Sequence, residues 1–556
     1  MITLVLMLFS LITFTQATSA TPKTWNGGGP DTKWSSSSSG GKNNNWTDRN
    51  AMPAPNSTND FIFDGTTRLN NINDITGLTA TSITFTNAAG GFILNGNSIT
   101  LAGGITNLST NLQTINLGLI LSGNDIVNAS TANILISSSV SGTGSLEKAG
   151  SGTMVLANEN TCTGTTLISA GALQIGNGGG TGSLGTNNIT NNSSLIFNRT
   201  GAYSVASPIS GSGSLTQRGT GTLILSGNNS YSGTTTVNGG ALVAGSSTAL
   251  GSGAGALTVN NGSKLALGSY NATVGEVTLN SGSITGSGTL TGTSYTASSG
   301  TIDPTLAGAG VTLTKTGLGS VTLNAAETFT GKTTVSAGTL ILGFGASLAS
   351  TEINLGTRAS KGTLDASAPS GGGITIGNGQ TLAGYGTLVG NTTIASGGTL
   401  APGNSPGILG VTGSLTLNSG STSIFEVAGS GAGVGFDQVN VTGALTYGGV
   451  LKLDITGSYN MGTAFQNYLF NFGSETGGFS SVKYNLNGSG WSDLNYYAAN
   501  NTWQMWDNNA LTVGADNGYI GINLNTGMLT VVPEPSTWAL LVGGVSTLMI
   551  LRRRRG

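Results

Sequence analysis

Residues Ser214–Gly245 read SLTQRGTGTLILSGNNSYSGTTTVNGGALVAG. Apolar residues alternate with polar ones in short runs, as at Leu223 and Leu225, and glycines punctuate the runs. A period of two predicts strands that turn one face inward, each about four to six residues long. The stretch recurs. Gly142–Gly176, Gly211–Gly245 and Ala309–Gly343 align without a gap over 35 residues, at offsets of 69 and 98. The other two cores are SLEKAGSGTMVLANENTCTGTTLISAGALQIG (Ser145–Gly176) and VTLTKTGLGSVTLNAAETFTGKTTVSAGTLILG (Val311–Gly343). Gly219, Gly221, Gly233, Gly240 and Gly245 of the middle copy recur in both others, which marks turns at fixed offsets. Met154 and Leu156 match Leu223 and Leu225, then Val321 and Leu323; Ile168 matches Val237 and Val335; Leu173 matches Leu242 and Leu340.

Such a unit cannot bury its apolar face alone. Stacked copies bury a continuous core and pair each strand with the next coil. The expected fold is therefore all-β, a right-handed parallel β-helix (solenoid) with β caps, able to carry stacked Asn and Thr ladders. A propeller is disfavoured because no regular blade repeat is visible. Cys162 aligns with Tyr231 and Phe329, so it reads as a packing position.

The copies resemble the autotransporter-associated β-strand repeat, G-x-L-x-K-x-G-x-G-x-L-x-L-x-G-x-N-x-[YF]-x-G-x-T-x-V-x-x-G-x-L. The middle copy fits best, while the others depart at ANENTCTG (157–164) and NAAETFTG (324–331). GTLAPGNSPGILGVTGSLTLNSGSTSIFEVAGS (398–430) and FDQVNVTGALTYGGV (436–450) resemble the passenger segment that follows such repeats. The resemblance covers most of residues 140–455 and implies a surface-exposed passenger-like solenoid. Autotransporters end in a membrane barrel. This chain ends in an apolar run and arginines, which implies another export route.

Composition narrows the chemistry. Of 556 residues 93 are glycine, 7% are charged, one is cysteine and none is histidine. Low charge with abundant Gly and Thr argues for many short strands, and against disorder. Without histidine, Ser-His-Asp and Cys-His catalysis are excluded; one cysteine allows no internal disulfide or multi-cysteine zinc site. Leaving out the four terminal arginines and Glu534, 15 basic residues face 20 acidic ones, which provides no footprint for nucleic acid.

The two ends read as targeting segments. Residues 1–20, MITLVLMLFSLITFTQATSA, have the apolar core and small-residue end of a signal peptide, with cleavage expected after Ala17 or Ala20. The other end reads VPEPSTWALLVGGVSTLMILRRRRG from Val532 to Gly556. Pro533 and Pro535 break regular structure. Trp538–Leu551 is uncharged and predicts one transmembrane helix, although a 14-residue run is short for a bilayer. Arg552, Arg553, Arg554 and Arg555 then read as a stop-transfer signal. The three parts resemble the PEP-CTERM sorting signal of Gram-negative bacteria, with Val532, Pro533, Glu534, Pro535 and Ser536 as its motif. That resemblance implies processing by an exosortase, a membrane-embedded cysteine transpeptidase or protease. It also implies a link to exopolysaccharide and biofilm, and an inner-membrane precursor that moves to the cell surface or matrix.

The body divides into a Trp-rich cap with first coils (21–140), the solenoid (141–455), an aromatic-rich β cap (456–530) and the sorting signal (531–556). Trp25, Trp34 and Trp46 mark the first cap. Trp491, Trp503 and Trp506, with Tyr496 and Tyr497, mark the second, where they are candidate carbohydrate contacts as well as an aromatic core. β-Helices also host polysaccharide-degrading enzymes, which need clustered carboxylates. Asp303, Asp365, Asp437 and Asp454 are far apart in sequence, and Asp437 reads as a turn cap. The expectation is a non-enzymatic structural or adhesive protein without cofactor or metal. Its expected partners are the exosortase, the inner membrane and extracellular polysaccharide. The alternatives are a polysaccharide-degrading β-helix enzyme and a carbohydrate-binding surface protein.

Overall fold

The computed structural model describes residues 21–36, 44–47, 52–55, 57–369, 371–403, 406–456, 465–486, 488–499, 501–504 and 519–532. The residues of the signal peptide, Pro533 to Ser536, the run Trp538–Leu551, Arg552 to Arg555 and Trp506 lie outside them. Two compact units are present: Met1–Gly201 with Ser207–Ser214, and Ala202–Ala206 with Leu215–Gly556. Each is a parallel β-solenoid. No helix among the described residues is long and apolar enough to cross a membrane, which leaves membrane strands out of account.

In the first unit, one inward row runs Ile83, Ile105, Val127, Lys148, Ile168, Asn191 from coil to coil. A second runs Leu94, Ile115, Ile136, Leu156, Ile175, Phe197. All these side chains are buried. The alternating sequence dictates this arrangement: with one face inward, every second residue joins the core and the stack removes it from water, at ~1.5–3 kcal/mol for each large aliphatic group. The unit opens on an aromatic plug. Trp25, Trp34 and Trp46 are at most 1% exposed. They pack edge to face at ring separations of 5.2 and 5.5 Å, and Trp34 lies 4.9 Å from Phe61. Their polar edges are satisfied, since Trp34 Nε1 donates to Asn71 Oδ1 and Trp46 Nε1 to the Trp34 carbonyl, both at 2.9 Å.

In the second unit, the inward row Gln217, Val237, Val259, Leu279, Ala297, Lys315 steps through six successive strands. The offset of 98 residues between the second and third sequence copies is therefore five whole coils. Parallel pairing continues to Ser481–Leu486 on Val450–Ile455. A five-stranded antiparallel sheet follows, built from Phe465–Tyr468, Met528–Val532, Tyr519–Asn523, Thr502–Gln504 and Asn495–Tyr497.

Each sequence copy pairs with itself. In the third copy, Leu313–Lys315 pairs with Thr333–Val335, and Ser320–Leu323 with Gly338–Leu342. The first copy pairs Ser145–Ala149 with Thr166–Ile168 and Thr153–Leu156 with Ala172–Ile175, and the middle copy does the same. A repeat is thus two stacked turns of two faces. The glycine that opens its last strand has φ of +64° at Gly171, +53° at Gly240 and +65° at Gly338. A Cβ there would run into carbonyl oxygens of the preceding coil, so both conformation and space demand glycine.

The expected ladders are present on the outer faces. Along Asn70, Asn95 and Asn116 each later amide donates to the asparagine of the preceding coil, at 2.7 and 2.8 Å, and Ser137 continues the line. In the second unit Asn238, Asn260 and Asn280 do so at 2.8 and 2.6 Å. Beside them Thr216, Thr236, Thr258, Thr278, Thr296, Thr314 and Thr334 stack in register.

Candidate functional site

Most titratable groups that the fold buries serve the fold. Lys148 and Lys315, aligned in the first and third copies, are completely buried in inward rows. Lys148 Nζ donates to the carbonyls of Ala149, Gly150 and Ala170 at 2.7, 2.9 and 3.0 Å. Lys315 Nζ meets the matching carbonyls of Thr316, Gly317 and Ala337 at 2.5, 2.9 and 3.0 Å. Burial pulls Lys148 down to about 8 and Lys315 also downward, while three acceptors each favour the protonated amine. In the middle copy Gln217 takes this place and donates to Gly219 and Gly221.

Burial pushes Glu327 up to about 8; Oε2 accepts from the Leu306 amide at 2.5 Å. Asp437 is pushed up to about 7 by burial. Its carboxylate accepts from the amides of Gly407 (2.6 Å) and Glu426 (2.7 Å), so it ties two loops to a strand. Asp303, Asp365 and Asp454 bond to Asn324, Ser367 and Asn485 respectively. Cys162, Tyr231 and Phe329 are all at most 1% exposed, and burial raises the Cys162 thiol, which keeps it from forming a thiolate. No group of three acidic, histidine or cysteine side chains that could hold a metal occurs among the described residues.

A different surface gathers polar chemistry. At the last parallel coils of the second unit, Thr422–Val427, Val450–Ile455 and Ser481–Leu486 lie side by side, and Trp491–Asp493 folds back antiparallel on the last of them. Phe425, Leu451, Leu453 and Val482 point into the core. The outward positions form two rows, Glu426–Asp454–Asn485–Trp491 and Ile424–Lys452–Lys483–Asp493. Asn485 Nδ2 donates to Asp454 Oδ1 at 3.0 Å, and Lys483 pairs with Asp493 at 2.8 Å. Lys452 Nζ stands 5.4 Å from the Trp491 ring centroid, a cation–π distance. Trp491 remains 44% exposed.

The three tryptophans singled out in the sequence are not one platform. Trp491 stands on this outer face. Trp503 belongs to the antiparallel sheet, where it is half-buried and packs against Tyr496 at 5.2 Å. Trp506 is outside the described residues. Sequence reading missed Lys452, Glu426 and Asn485; for Lys452 the alternation Lys452-x-Asp454 was the available signal in a chain so poor in charge.

These features define a repeat-built β-solenoid. The passenger-associated-transport-repeat family matches residues 146–175, 215–244 and 313–342, inside the three copies read from the sequence. An adhesin, the BmaC autotransporter of Brucella suis biovar 1 (strain 1330), is 47% identical over 74 residues, which are 13% of this chain and 2% of that protein. The chain thus carries passenger-type repeats and resembles an autotransporter passenger over that stretch.

Proposed function

We propose that this protein is exported and acts as a structural or adhesive β-solenoid at the cell surface or in the extracellular matrix of a Gram-negative bacterium. One observation carries the reading: each segment that matches the passenger-associated-transport repeat folds as a self-paired pair of coil turns. The similarity to an adhesin autotransporter supports it. So does the use of buried acids and lysines to hold backbone amides and carbonyls, which leaves them no substrate-facing role; the proposal is therefore of a protein without enzymatic activity. Release follows the C-terminal motif Val532 to Ser536, which an exosortase-type enzyme processes while Trp538–Leu551 and Arg552 to Arg555 hold the precursor in the inner membrane.

Mass spectrometry of the C-terminus in membrane and extracellular fractions of the native host tests this. Surface or matrix protein is expected to lack every peptide beyond the motif. Full-length protein confined to the inner membrane would refute sorting, and protein confined to the cytoplasm would refute export.

A further inference from the structure

We propose that the outer face formed by Glu426, Asp454, Asn485, Trp491 and Lys452 binds a neutral polysaccharide. The proposal rests on the extracellular reading above and adds a ligand class to it. Three observations carry it. First, Trp25, Trp34 and Trp46 are at most 1% exposed and Trp503 is half-buried, yet Trp491 is 44% exposed on a sheet face. Lys452 occupies a position over the ring and steadies it without burying it. The indole face turned away from Lys452 offers the apolar platform on which the C–H face of a sugar ring stacks.

Second, charge is concentrated here. Only 7% of the chain is charged, but five of the eight positions in the two outward rows are Glu, Asp or Lys. Much of this polarity is unspent. Among the described residues, the Glu426 carboxylate has no hydrogen-bond partner, and Asp454 uses one oxygen for Asn485. Glu426, Asp454, Asn485 and Trp491 succeed one another at one per strand, ~4.8 Å apart. A chain lying across the strands would meet acceptors, an amide and then a stacking face in line. Asp437 fixes the first of these by accepting the Glu426 amide hydrogen bond at 2.7 Å.

Third, the balance of charge selects the ligand. Three carboxylates outnumber two ammonium groups, and Lys483 is already paired with Asp493. A polyanion would be repelled; a neutral, hydroxyl-rich chain would donate to the carboxylates without charge cost.

The test uses the purified full chain in affinity electrophoresis and titration calorimetry, with soluble β-glucan, xylan and galactomannan as neutral probes and alginate as the acidic one. At least one neutral probe is expected to bind, and alginate roughly tenfold or more weaker. Trp491→Ala is expected to weaken binding roughly tenfold, the loss of one stacking contact. Trp491→Phe should retain most of it, and Glu426→Gln with Asp454→Asn should also weaken it. All variants lie on the surface and should keep the wild-type urea midpoint. Equal binding by Trp491→Ala, preference for alginate, or no neutral probe bound at millimolar concentration would each overturn the proposal. Release of reducing ends that disappears in the double variant would replace it with catalysis. Because affinity is measured on purified protein, a failure here leaves the export reading intact, and a failed localisation leaves the affinity result standing.

Discussion

At the scale of single residues, the position shared by Lys148, Gln217 and Lys315 asks for a donor rather than a charge. Each side chain sits in an inward row and caps turn carbonyls of its own copy. Lys148→Met would leave three carbonyls without that donor, at about 2–4 kcal/mol. Lys148→Gln would lose clearly less, because the middle copy already uses glutamine; urea midpoints of the three proteins decide. Glu327 gives a pH signature. Its carboxyl lies at about 8 in the fold against 4.5 when free, so the fold keeps a proton that the unfolded chain gives up. Stability from this group is complete below the unfolded value and falls as pH rises through the window up to about 8. Asp437, raised to about 7, adds in the same direction. Glu327→Gln should flatten the decline between pH 5 and 8 and be the more stable protein at pH 8, by thermal melts across that range.

At the scale of elements, a coil strand is too short to stand alone, and the ends of a stack are exposed edges. The Trp25–Trp34–Trp46 plug covers one such region in the first unit. Trp46→Ala would remove a buried indole that donates to the Trp34 carbonyl, a loss of about 3–5 kcal/mol. Light scattering should then show concentration-dependent association of a kind the parent lacks. The strands and corners of the repeats were legible in the sequence for a physical reason. Period-two alternation follows directly from a sheet with one wet face, and Gly171, Gly240 and Gly338 stand where a Cβ would strike the coil below. That Cys162, Tyr231 and Phe329 are core positions followed from alignment alone. The polar face at Glu426 and Trp491 was not legible. Its parallel steps join residues 28 to 31 positions apart, as Glu426 to Asp454 and Lys452 to Lys483, and its antiparallel steps join residues 6 and 10 apart, whereas coils from Gln217 to Lys315 advance by 18 to 22. Loops inserted between late coils shift the register, and only the folded chain shows which side chains share a face.

At the scale of the whole molecule, charges are few, and five of them gather on one outer face, while ladders of amides and hydroxyls line outer positions of earlier coils. Such a surface fits the proposed role outside the cell. The sorting reading belongs to this scale, and the C-terminal mass measurement described above decides it. The coil register has a consequence at the level of the gene. Codons for Leu215–Gly245 and Leu313–Gly343 specify the same self-paired unit, five coils apart. Unequal crossing-over between them would delete or duplicate a whole number of turns and rejoin every inward row in phase. The number of coils is thus free to vary among descendants in steps that selection can test without first breaking the fold.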